Sequence, residues 1–166
     1  MTLEPILTAI YDWPLSDAIR QTEYAFPLLE CIHVLAICIV VGFISIVDLR
    51  LLGLPAHARS VKALLGQTLP VVWGAFVLAV ISGGLLFASN ATGYAKNFDF
   101  RIKILLIVLA FLNMLAFHLI SQKRIAEWDV AGKTPPSAKL SGGLSLLLWI
   151  GVVGFGRHIG FTLAPF

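Results

Sequence analysis

Three histidines, His33, His118 and His158, interrupt otherwise apolar runs of this chain, and they are its residues best suited to chemistry. Glu30 lies one helical turn before His33 and on the same face. Arg157 sits beside His158, and Asn113 precedes His118. Ionisable groups in hydrocarbon are expensive, so each is a functional hypothesis by default. Imidazole suits iron, and axial histidine tunes a haem potential. His33, His118 and His158 are therefore candidate iron ligands for one or two non-covalent b-type haems. Arg157 is a candidate partner for a haem propionate, and Glu30 for the free ring nitrogen of His33. No Cys-x-x-Cys-His is present, which excludes covalent c-type attachment. There is no Ser/His/Asp set, phosphate loop or His-Glu-x-x-His, so no catalytic residue is assigned and enzymatic activity stays open.

The elements that carry these histidines are membrane spans. The chain has 166 residues, 58% hydrophobic and 13% charged. Soluble domains carry about 25% charged residues, so most of this chain has no water to face. Mean hydropathy is +0.91. Apolar runs at about 27–47, 69–87, 104–120 and 144–161 each approach the roughly 20 residues that cross about 30 Å of hydrocarbon. The expected fold is an all-α membrane protein, a four-transmembrane-helix bundle over residues 25–166. Residues 1–24 read as an N-terminal amphipathic interfacial segment of one or two short helices, broken at Pro14, with Ser16 as a helix N-cap. The N-terminus lacks a positive n-region, so no cleavable signal is expected and the first span inserts itself.

Loop charge gives orientation. Arg50, Arg59, Lys62, Lys123, Arg124, Lys133 and Lys139 put seven of the twelve basic residues on one side, against Arg20, Lys96, Arg101, Lys103 and Arg157 on the other. The positive-inside rule then places both termini outside, in the periplasm of a bacterium whose inner membrane holds the chain. At about 1.5 Å rise per residue, His33 and His158 fall at similar depth in the outer leaflet. His118 falls about 9 Å to the inner side of its span's centre and cannot share a ligand with His33. It marks a second, inner site, with His57 of the inner loop a weak partner. Asp48 reads as a structural anchor reaching Lys123 or Arg124.

Other features are structural. Cys31 and Cys38 are seven residues apart, about 10 Å along a helix, beyond the roughly 7 Å of a disulfide. Ala75, Ala79 and Gly83, and Gly151, Gly154, Gly156 and Gly160, form small-residue faces for close packing within the bundle or against another subunit. No basic stripe with aromatic platforms lies outside the spans, which argues against nucleic acid.

The segment Pro27-Leu28-Leu29-Glu30-Cys31-Ile32-His33-Val34-Leu35, then Gly42 and Asp48-Leu49-Arg50-Leu51-Leu52-Gly53, resembles a family of small bacterial four-helix inner-membrane proteins of unknown function. Phe100-Arg101-Ile102-Lys103, Asn113, Phe117-His118, and Ser145 through Trp149 to Gly156-Arg157 fit the same pattern, so the resemblance runs from about residue 15 to the end. In architecture that family is similar to the copper-resistance type D membrane proteins. The resemblance implies roles for His33, His118 and Arg157. It departs at His158, where the pattern often carries an aromatic residue, and so favours His33 and His118 as separate sites. The expected function is a b-type cytochrome-like protein passing electrons between the quinone pool and a partner. That partner is a membrane or periplasmic redox subunit, or a second copy of the chain. A cofactor-free anchor or assembly subunit, and a copper-handling protein with Glu30, Cys31 and His33 as ligands, are the alternatives.

Overall fold

In a computed structural model, residues 3–54, 60–120, 125–130 and 134–163 are described. His57, Arg59, Lys123, Arg124 and Lys133 lie outside the described residues. The elements are α1 (Glu4–Tyr11), α2 (Pro14–Gln21), α3 (Ala25–Leu52), α4 (Val61–Ser89), α5 (Ala91–Lys96), α6 (Phe98–Ile120), α7 (Ile125–Val130) and α8 (Pro136–Thr162). Helices α3, α4, α6 and α8 are each long and apolar enough to cross a bilayer. Each exceeds the apolar run predicted for it, because helix continues past the hydrocarbon through more polar turns.

Local sequence explains the boundaries. Gly53, at φ 90°, ends α3 in the left-handed conformation, and Leu54 N–H returns to the Leu49 carbonyl. A residue with a Cβ is strained there, which is why a glycine closes the Asp48–Gly53 motif. Ser60 caps α4 by accepting from Ala63 N–H. Asn97 starts α6 by accepting from Phe100 N–H. Helix α2 begins one turn earlier than a Ser16 cap would allow. Trp13 is its cap and Pro14 its first residue, where a missing N–H costs nothing. Ser16 is fully buried and donates instead to the Ile10 carbonyl.

The two short N-terminal helices fold back on the bundle. The Arg20 guanidinium lies 3.9 Å from the Tyr11 ring centroid and donates to the Tyr11 and Ser89 carbonyls, tying α1 and α2 to the end of α4. At the opposite end the Asp129 carboxylate of α7 accepts from Ser60 Oγ at 2.6 Å and from the N–H groups of Val61 and Lys62. It also pairs with Arg50 at 3.7 Å. An anion at a helix N-terminus meets the free N–H groups and the positive end of the dipole. Burial pushes the Asp129 carboxyl up, but those hydrogen bonds and the Arg50 charge outweigh it and hold it below the ordinary aspartate range.

The four spans pack in the order α4–α3–α8–α6. Small residues set the close contacts. Ala75 and Ala79 are buried, and a Cβ on Gly142 would sit 3.0 Å from the Asp48 carbonyl oxygen, where α8 meets α3. A Cβ on Gly151 would meet Leu106 at 2.9 Å. These faces are thus used inside the bundle. Helices α4 and α6 do not meet backbone to backbone. Their gap is closed near α1 and α2 by stacked Phe87 and Phe100 with Tyr94. Near α7, Phe117 of α6 joins Val61, Leu64 and Leu65 of α4 in a buried apolar cluster.

Candidate functional site

His33 projects from α3 towards α4. Its Nδ1 lies 3.1 Å from Ser82 Oγ. The Ser82 hydroxyl proton is already given to the Leu78 carbonyl at 2.7 Å, so Ser82 accepts and His33 Nδ1–H donates. The neutral ring therefore keeps its lone pair on Nε2. Gly83 makes room for it, since a Cβ there would come within 2.7 Å of Cε1. Glu30 is exposed, and the orienting partner is Ser82 rather than the Glu30 carboxylate. Lys103 of α6 lies along Gly156 of α8, with Nζ 3.6 Å from where a Cβ would be, and is close enough to act electrostatically on His33.

His158 turns elsewhere. Its Nδ1–H donates to Asp99 Oδ2 at 2.9 Å, and Thr162 Oγ1 donates to the same oxygen at 2.8 Å. The His158 side chain is 60% exposed. His33 is held against α4 and His158 against α6, so the structure ties the two to different neighbours despite their similar depth. Asp99 is only 7% exposed. Sequence reading passed over it because it sits beside the span boundary among other polar residues. The Asp99 to His158 separation is not a local helical spacing. Arg157 lies over the Phe161 ring at 5.1 Å.

His118 occupies a third setting, in the half of the bundle near α7. Its Nδ1 is 2.8 Å from the Met114 carbonyl, which only accepts, so Nδ1–H donates and Nε2 keeps the lone pair. His118 lines a partly open cavity of about 120 Å³ between the four spans. Trp73, Phe76, Phe111 and Trp149 supply aromatic walls. Asp48, Thr68, Asn113, Ser141 and Ser145 supply the polar groups. Asp48 is 5% exposed. It interacts with the Ser145 hydroxyl, while its buried Oδ2 has no hydrogen-bond partner among the described residues. Its partner is thus on α8, and the basic residues expected to meet it, Lys123 and Arg124, fall outside the described residues.

Cys31 and Cys38 are both exposed and free. Among the described residues, no group of three or more His, Cys, Asp or Glu is placed to hold a metal ion. Fold and site together define a multi-pass, all-α membrane protein with isolated, tautomer-locked histidines. No protein-family model, curated protein or solved structure matches the chain.

Proposed function

We propose that this protein is a b-type cytochrome-like electron carrier of the bacterial inner membrane. It binds haem b non-covalently and links the quinone pool to a membrane or periplasmic redox partner. The observation that carries the reading is the His33 ring. Ser82 holds its Nδ1–H, Gly83 leaves space for the ring, and the Nε2 lone pair is the one a metal would use. A metal-binding imidazole ordinarily has its other nitrogen held in this way. Lys103 and Arg157 offer cations suited to carboxylates such as propionates, and Arg157 is the stronger partner in a forked geometry. When bound, the haem supplies a one-electron couple within the bundle. His33 would hold it, and the aromatic group Phe87, Tyr94 and Phe100 would exclude water from that end. His158, held outward by Asp99, is the candidate second ligand least favoured by this geometry. The positive-inside rule supports periplasmic termini and so places His33 nearer the periplasmic face.

The alternatives have less support. An assembly subunit would use its small-residue faces on a partner, yet Ala75, Ala79, Gly83, Gly151 and Gly156 are engaged within the bundle. Copper handling by Glu30, Cys31 and His33 would need these side chains to converge, and His33 is drawn to Ser82 instead. The test is a reduced-minus-oxidised spectrum with pyridine haemochrome quantitation on protein from haem-replete cells. A b-type signal lost in His33→Ala and kept in His158→Ala supports the reading. A colourless wild-type protein would sink it.

A further inference from the structure

The cavity beside His118 has a size and an inventory of free groups that together define a ligand. Its volume is about 120 Å³. An engineered apolar cavity of about 150 Å³ takes up one benzene, so this one matches a single six-membered ring and is far too small for a porphyrin. Its walls are mainly apolar and aromatic, as small-molecule sites are, with a few polar groups to set orientation.

Those polar groups are mostly spent. Asn113 Nδ2 donates to the Ser141 carbonyl at 2.9 Å, and the Ser141 hydroxyl donates back to Asn113 Oδ1 at 3.1 Å. The Thr68 hydroxyl donates to the Leu64 carbonyl at 2.9 Å. Ser145 serves one side of the Asp48 carboxyl. Among the described residues Asp48 Oδ2 has no hydrogen-bond partner, and the neutral His118 ring presents Nε2 as an acceptor because its Nδ1–H donates to the Met114 carbonyl. A buried carboxyl oxygen without a partner is costly. In its ionised form the Asp48 oxygen accepts, as the imidazole lone pair does. The matching ligand therefore carries two donors on one flat ring.

We propose that this cavity binds the head of a hydroquinone, with one O–H received by Asp48 and the other by His118 Nε2. The ring lies among Trp73, Phe76 and Trp149. The apolar tail leaves between α4 and α6, the one side of the bundle where neighbouring spans in the ring do not meet. Asp48 sits where Gly142 brings the α8 backbone against α3, so a close helix contact sets its position. This deepens the quinone side of the proposed function, and it assigns His118 to the organic carrier rather than to iron.

The test uses the full chain in lipid nanodiscs under anaerobic conditions. A decyl-substituted benzohydroquinone is titrated against tryptophan emission, which Trp73 and Trp149 should report. The comparison ligand is its dimethyl ether, with the same ring and tail and no donors. Saturable binding is expected, about tenfold or more tighter for the hydroquinone, as the loss of two hydrogen bonds implies. Asp48→Asn and His118→Phe should each narrow that preference. Equal affinity for both ligands, or no saturable binding of the hydroquinone to wild-type protein, would overturn the proposal without relying on any variant's folding. The haem spectrum is read separately. A colourless protein that still prefers the hydroquinone would remove the haem assignment alone, and a haem protein that ignores the hydroxyls would remove this site alone.

Discussion

Asp99 and Asp48 are carboxylates on spanning helices, one near each end of the bundle, and both are nearly buried. They are treated in opposite ways. Asp99 has His158 and Thr162 converging on one oxygen and ties the start of α6 to the end of α8. Asp48 has Ser145 on one side and, among the described residues, no partner on Oδ2, which belongs to a side chain on the wall of a cavity. A saturated buried carboxylate is a staple. An unsaturated one costs stability and is retained where it serves a ligand. The two halves therefore differ: near α1 and α2 hydrogen bonds and stacked rings join α6 to α8 and α4, and near α7 a cavity lies between the four spans.

This contrast can be broken or sharpened by substitution. The largest effect is expected from Gly142→Leu. A Cβ already meets the Asp48 backbone at 3.0 Å, so a larger side chain must separate α8 from α3. A loss of about 1–3 kcal/mol or more is expected, as for an overpacked core. Gly154→Leu, where nothing lies within 4 Å, should be tolerated. Denaturant titration in detergent compares the two.

Next comes Asp99→Ala. It strips the acceptor from both His158 and Thr162, and the melting temperature should fall. A melting temperature equal to wild type would mean that this end is held by Phe87, Tyr94 and Phe100 alone.

Asp129→Ala should cost about 1 kcal/mol, the usual loss of a helix cap. Its carboxyl is held below the ordinary aspartate value, so its stabilisation is complete above the unfolded value of about 4 and fades as pH falls through the lower folded value. Stability measured from pH 7 down to pH 3 should show that acid loss in wild type, with a smaller loss in Asp129→Asn.

The smallest effect is expected from Asp48→Asn. It replaces a buried, half-satisfied carboxylate by a neutral amide, so stability at pH 7 should equal or slightly exceed wild type. A large loss of stability would make Asp48 a staple like Asp99 and erase the distinction.

Much of this fold was legible. Runs of apolar residues around His33, Gly83, Asn113 and Val152 required four spans, since each is too long and too uncharged for a soluble core. The pause at Pro14 marked two short helices, and Gly53 marked the end of α3. The start of α2 was misplaced because Ser16 resembles a cap, while Pro14 was the better first residue and Ser16 found the Ile10 carbonyl. Depth along each helix separates His118 from His33, because rise per residue is constant, and the structure gives the two rings different neighbours. It also set His33 and His158 level, yet depth says nothing about which way each ring turns.

The sequence by itself determined what depends on neighbours along the chain: span number, approximate depth, helix ends and the small residues that permit close approach. The tertiary structure decided what depends on azimuth and on which helices adjoin. It placed Ser82 rather than Glu30 beside His33, Asp99 beside His158, and Asp129 of a short helix on the N-terminus of α4. It also left α4 and α6 apart, with Asp48 and His118 on the cavity between the four spans. A hydrogen bond forms only within about 3 Å. Residues 49 to 68 positions apart, as these are, reach that distance only after the helices have chosen their faces.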